Sequence, residues 1–179
     1  MSIYRSKPRI AVIGGGPAGL MAAGTAAACG ARVMLFEKNG QCGRKLLITG
    51  SGRCNITNSA PFDQFLASFP ENKKFLIPAF RQFFVTELID FFDRYQLSLT
   101  REESGKYFPV TQNAASVLNV LLAFCRDHQV EFCCNEPVSE LVDTESKLKI
   151  QTKNGFISAD AVILATGRSE EHTSELQSR

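Results

Sequence analysis

The sequence predicts an α/β chain, a parallel sheet with helices packed on it and a small antiparallel β-meander attached. Three observations predict it. A buried strand, Ile10-Ala11-Val12-Ile13, ends in glycines and opens an alanine-rich helical stretch. A second buried strand, Val33-Met34-Leu35-Phe36, follows so soon that strand, helix and strand make one right-handed parallel βαβ unit. Farther on, three short strands are separated by turn signals, notably Asn154-Gly155, in the manner of a meander.

Each element follows from local chemistry. Arg9 to Ile13 reads as the first strand. Pro17 to Cys29 reads as a helix, with Pro17 in the first turn, where its missing N–H costs nothing, and Gly30 ending it. Arg32 to Phe36 is the second strand. Asn39 to Ser59 is rich in Gly, Asn, Ser and Thr and reads as loop, with one helical turn at Lys45 to Ile48. Phe62 to Phe69 and Ala79 to Tyr95 carry Phe and Leu at helical spacing. Phe80, Phe83, Phe84, Leu88, Phe91 and Phe92 are expected to pack as core. Leu97 to Thr100 and Lys106 to Phe108 read as short strands. Asn113 to His128 is an amphipathic helix, and Val130 to Cys133 is a third candidate for the parallel sheet. Pro137 to Asp143, Lys147 to Thr152 and Gly155 to Ser158 form the meander, and Ala161 to Ala165 is a further buried strand.

Composition narrows the function. The chain has 179 residues, enough for one domain with a real core. Its formal charge is +2, so charge makes no case for nucleic acid or an anionic membrane, and none is expected as a partner. The six cysteines lack zinc-like spacing; they are expected to be reduced, without metal, in a cytoplasmic protein. Cys29 and Cys125 fall on apolar helical patterns, where a thiol acts as a small hydrophobe. Arg5, Lys7 and Arg9 before an apolar stretch imitate a secretory leader, but Gly14, Gly15, Gly16 and Pro17 interrupt the run.

The chemistry lies in that interruption. Gly14-Gly15-Gly16-Pro17-Ala18-Gly19 fits G-x-G-x-x-G between a strand and a helix. Gly14 permits the tight turn, Gly16 admits a pyrophosphate to the backbone, and Gly19 lets the helix pack on the sheet. The helix N-terminus offers free N–H groups and partial positive charge to the phosphates. Glu37 lies eighteen positions beyond Gly19, at the end of the second strand. A carboxylate there accepts ribose hydroxyls and repels a 2′-phosphate. The fingerprint serves FAD and NAD alike. After Glu37 the chain enters a long Gly-rich loop, Gly43-Arg44-Lys45 through Gly50-Ser51-Gly52-Arg53-Cys54-Asn55, suited to wrapping a large anionic cofactor, and this favours FAD. Cys54 is read as packed or in backbone contact rather than as a redox thiol, and His128 as a helix cap rather than a catalyst. No Ser/His/Asp or Cys/His arrangement stands out, and the catalytic residues are left unassigned.

The run Gly43-Arg44-Lys45-Leu46-Leu47-Ile48-Thr49-Gly50-Ser51-Gly52-Arg53-Cys54-Asn55-Ile56-Thr57-Asn58 resembles a signature of bacterial NAD(P)/FAD-dependent, aminoacetone-oxidase-like flavoproteins, a family that includes bile-acid reductases. Glu103 to Thr111, with Ala114 and Val117, resembles a second motif of that family, and Ala165-Thr166-Gly167 a third. The resemblance implies a Rossmann-like FAD-binding domain, incomplete at its C-terminus. It implies FAD held by Gly14, Gly16, Pro17, Ala18, Gly19, Glu37, Lys38, Gly43, Arg44, Lys45, Gly52, Arg53, Cys54 and Asn55, with further contacts from Val138, Ala165, Thr166 and Gly167. It also implies an oxidoreductase of a small molecule, with NAD(P)H as a possible electron donor. A non-catalytic dinucleotide-binding fragment and an RNA-modifying flavoprotein are the alternatives.

Arg168 to Arg179 breaks the pattern. This polar run resembles the conceptual translation of a sequencing adapter. Residues 1–167 are therefore expected to be a partial cofactor domain, inactive by itself, and residues 168–179 a non-native tail.

Overall fold

The computed structural model describes residues 7–69, 71, 73–144 and 147–167; the tail lies outside them. The chain divides into two units. One comprises the residues up to Arg44 with those from Leu121 onward, the other Lys45–Val120.

In chain order the elements begin with β1 (Arg9–Ile13), α1 (Pro17–Ala28), β2 (Arg32–Glu37) and the short helix α2 (Arg44–Leu47). The second unit continues with β3 (Thr57–Asn58), α3 (Phe62–Ala67), α4 (Lys73–Gln82), α5 (Val85–Arg94), β4 (Leu99–Arg101) and β5 (Lys106–Pro109). Helix α6 (Ala114–Asp127) leads back to the first unit, which adds β6 (Glu131–Cys134), β7 (Val138–Asp143), β8 (Leu148–Thr152), β9 (Gly155–Ala159) and β10 (Ala161–Leu164).

The first unit carries the expected parallel sheet, ordered β10-β1-β2-β6, and the meander β7-β8-β9. Ile10 to Ile13 pair with Val33 to Phe36 on one side and with Ala161 to Leu164 on the other. A strand flanked on both edges and covered on its faces must be apolar throughout, as Ala11, Val12 and Ile13 are. Burial of Leu20, Leu35 and Phe36 contributes roughly 2 kcal/mol each. A second cluster, Ala11, Phe36, Ile150 and Ala159, joins sheet and meander. Small residues let α1 and α6 approach closely. A Cβ on Gly24 would collide with the Phe124 ring, and the Cys125 thiol donates to the Leu20 carbonyl at 3.1 Å.

Three expectations are corrected. The final strand is not buried: among the described residues β10 is an outer strand with one neighbour, and Leu164 is 65% exposed. The expected helix from Ala79 to Tyr95 is two helices. Glu87 Oε2 accepts the Phe84 N–H at 2.9 Å, which fixes Phe84 in extended backbone and restarts the helix at Val85. That bond also holds the Glu87 carboxyl below the usual carboxylate range. The aromatic stripe divides accordingly. Phe91 and Phe92 are buried, whereas Phe80 and Phe84 form edge-on and tilted ring contacts with Phe62, Phe65 and Phe69, and Phe83 is exposed. Finally, Cys29 lies just past the end of α1 and is exposed, unlike Cys125.

Candidate functional site: a glycine turn closed by a carboxylate

The site is built at the C-terminal edge of the parallel sheet, where β1 gives way to α1. Gly14 has φ +109, a conformation that disfavours a side chain, and a Cβ there would strike the Ala165 carbonyl. Gly19 is equally constrained, because its Cβ would collide with the Gly14 carbonyl oxygen. Gly16 differs. It caps α1 with φ −75 and ψ 177, and no atom of the described residues lies within 4 Å of where its Cβ would be. The space in front of Gly16 is open, and the first turn of α1 contains no acidic residue to neutralise the helix end. Pro17 and Ala18 begin that turn, and the Leu20 N–H already bonds the Gly16 carbonyl at 2.9 Å.

Glu37 is buried beside the turn. Its Oε2 accepts the Gly15 N–H at 2.8 Å, and its Oε1 accepts both the Asn39 N–H at 2.9 Å and the Asn39 side-chain amide at 2.6 Å. The carboxylate is thus fixed in position. Asn39 extends the arrangement, its Oδ1 accepting Arg44 Nη1 at 3.0 Å. The chain then folds back so that the Gly43 N–H bonds the Gly15 carbonyl at 2.9 Å. Lys38 is exposed next to these residues in sequence. The role of Asn39 was not foreseen. Its signal was available, since Asn two residues after a functional acid is a common turn-former that bonds local backbone and side chains.

The other end of the first unit also reaches the turn. The Ala165 N–H bonds the Ile13 carbonyl at 2.8 Å, and Thr166 follows against Gly14. Gly167 has φ +78 and open space at its Cβ. Val138 opens the meander opposite Thr152 and packs on the Ala11–Phe36 cluster. Glu136, just before it, donates its N–H to the Glu37 carbonyl at 2.9 Å, and its Oε2 accepts the Asn154 amide at 2.7 Å. Gly14, Gly16, Pro17, Ala18, Gly19, Glu37, Gly43, Arg44 and Ala165 to Gly167 are therefore brought into one unit, with Lys38 and Val138 in the same unit.

The remaining expected residues lie in the second unit. Arg53 stacks 4.1 Å above the Phe108 ring, and its Nη1 bonds Glu102 at 2.7 Å and Gln112 at 3.2 Å. Its guanidinium is half-exposed and already engaged. Cys54 is buried at φ +64, its N–H bonding the Thr49 carbonyl at 3.1 Å, consistent with a packed residue. Gly52 has open space at its Cβ, and Lys45 and Asn55 are exposed.

All six cysteines are free. Cys42 lies under the glycine turn, its sulfur 2.6 Å from where a Gly15 Cβ would be. Burial, then the neighbouring Cys134, pushes its thiol up to about 12. Burial likewise pushes Cys125 up to about 11. At mildly alkaline pH an alkylating reagent will therefore label exposed Cys29 first, and Cys42 and Cys125 only on unfolding. Peptide mass spectrometry over a time course checks this; early labelling of Cys42 would show that the turn opens.

Residues 8–173 match the HI0933-like protein Rossmann domain. The chain belongs to the HI0933-like family. A 3-dehydro-bile acid delta(4,6)-reductase of Clostridium scindens is 34% identical over 161 residues, covering 89% of this chain and 39% of the relative. A ribosomal RNA dihydrouridine synthase of Escherichia coli is 26% identical over 156 residues, covering 87% and 38%. This HI0933-like chain thus spans under two-fifths of the length of these relatives. Among solved structures, Thermovibrio ammonificans THI4 shares the fold with a TM-score of 0.58 at 16% identity, over 90% of this chain and 58% of that one.

Proposed function

We propose that the first unit holds the adenosine and pyrophosphate part of FAD, as the N-terminal part of a cytoplasmic oxidoreductase that acts on a small organic molecule. The observation that carries this reading is the open cradle at Gly16, set at an uncompensated helix N-terminus beside the fixed Glu37 carboxylate. These residues fit the group. The backbone at Gly16 to Gly19 receives the pyrophosphate, and Glu37 receives a ribose hydroxyl with the remaining lone pair of Oε2. Val138 and Ala165 to Gly167 supply backbone contacts, and Lys38, Gly43 and Arg44 close the loop side. Lys45, Gly52, Arg53, Cys54 and Asn55 are assigned to the cofactor by family resemblance. When bound, FAD supplies a ring that accepts and returns a hydride equivalent, with NAD(P)H as the proposed donor. The similarity to a bile acid reductase supports a small apolar substrate.

A second reading, an RNA substrate, is favoured by the similarity to a ribosomal RNA dihydrouridine synthase. Bleaching of bound flavin by a panel of unsaturated small molecules against RNA separates the two.

The cofactor assignment is tested with Gly16→Val. Gly16 has backbone angles that any residue adopts, and no protein atom fills the space of its Cβ. The variant is expected to keep the wild-type circular dichroism and thermal midpoint while binding FAD about tenfold or more weakly, a loss of roughly 1.4 kcal/mol or more. Equal FAD retention by wild type and variant would remove the pyrophosphate from this turn.

A further inference from the structure

The opposite edge of the parallel sheet carries a separate cavity of about 650 Å³. It lies where β1, β2 and β6 begin, a strand length of roughly 15 Å from the glycine turn. Four fixed cations line it, Lys7, Arg9, Arg32 and Lys147, against two acids, Asp160 and Glu131. Asp160 is already engaged, accepting the Arg9 N–H at 2.8 Å and lying 3.6 Å from Lys147 Nζ. Among the described residues Lys7 and Arg32 have no carboxylate partner, which leaves an excess of positive charge at an open cavity.

The helix ends facing this edge do not cancel that excess. The last carbonyls of α1 are covered by their own chain, Thr25 by the Cys29 N–H at 3.0 Å, Ala27 by Gly30 at 2.9 Å and Ala26 by Ala31 at 3.2 Å. At the end of α6 the Gln129 and Val130 N–H groups do the same for Arg126 and Cys125. The cavity also has an apolar floor, Ala27, Ala31 and Val33, and an aromatic wall, His128, whose ring stands edge-on to Phe124 at 5.2 Å. Cations for an oxyanion, an apolar floor and a ring for stacking together match one class of ligand.

We propose that this cavity binds a nucleoside phosphate, either free or as one residue of a nucleic acid strand. Arg32 and Lys7 take the phosphate, and His128 stacks on the base. The volume falls in the range of small-molecule sites and accommodates one nucleotide.

The test is titration with AMP and with a labelled single-stranded oligoribonucleotide by fluorescence or calorimetry, on the wild-type chain, on Gly16→Val and on Arg32→Ala. AMP could also enter the glycine turn, and Gly16→Val removes that contribution. AMP binding that persists in Gly16→Val and weakens about tenfold in Arg32→Ala, with unchanged circular dichroism, is the expected result. Tighter binding of the oligoribonucleotide, with steep salt dependence, would assign the phosphate to a strand; binding of AMP alone would assign it to a free nucleotide. The proposal is overturned if neither probe binds, if Gly16→Val abolishes AMP binding, or if Arg32→Ala leaves binding unchanged.

Discussion

Gly19→Ala is expected to lower the stability of the chain by about 3 kcal/mol or more, near the upper end for an overpacked position. A methyl group at Gly19 would overlap the Gly14 carbonyl oxygen, and that oxygen belongs to backbone. It cannot rotate away as a side chain would. Moving it shifts the turn whose N–H bonds the Phe36 carbonyl at 2.8 Å and whose far side meets Ala165. Urea denaturation reads the effect as a lower midpoint with an unchanged slope. Gly16→Ala, three residues away, is the contrast. The same methyl group enters open space there and should leave the midpoint in place. If Gly19→Ala unfolds at the wild-type midpoint, helix α1 does not pack on the sheet as closely as described.

Glu37→Gln is expected to destabilise the chain by about 2 kcal/mol and to weaken FAD binding, despite its nearly identical shape. Both carboxylate oxygens accept hydrogen bonds from fixed donors, Gly15 on one and Asn39 on the other. An amide has only one oxygen. Whichever way it turns, its NH2 faces an N–H and leaves that donor buried without an acceptor. Glu37→Ala orphans both, so its thermal midpoint should fall below that of the glutamine variant. A glutamine variant as stable as wild type would mean that neither the charge nor the acceptor pair contributes to stability at this position.

Much of the fold was legible in the sequence because strand and helix periods differ and because glycine marks the turns. The parallel pairing of β1, β2 and β6, the meander and the position of Glu37 all follow from local pattern. Part of what escaped depends on neighbours that no local pattern contains. The exposure of Leu164 follows from β10 having, among the described residues, a strand on one side only, and its composition is the same as that of a buried strand. The break between α4 and α5 is made by one bond from Phe84 to Glu87, inside a run whose aromatic spacing continues through it. In the site, the need for Gly14 and Gly19 was readable and Asn39 left a local signal two residues after Glu37, whereas Glu136 acts through bonds that only the folded chain creates. The commitment of Arg53 to Glu102 and Phe108 likewise joins segments far apart in sequence.

The closure of Gly14 on Ala165 joins residues separated by most of the chain. The fingerprint leaves a ribosome well before the backbone it rests on. A nascent chain that exposes only its first hundred residues holds the glycines and Glu37 but lacks β10 and the turn that follows it. On the proposed reading of the glycine turn, cofactor loading waits for the arrival of Ala165, and until that moment the β1 edge is open to other partners.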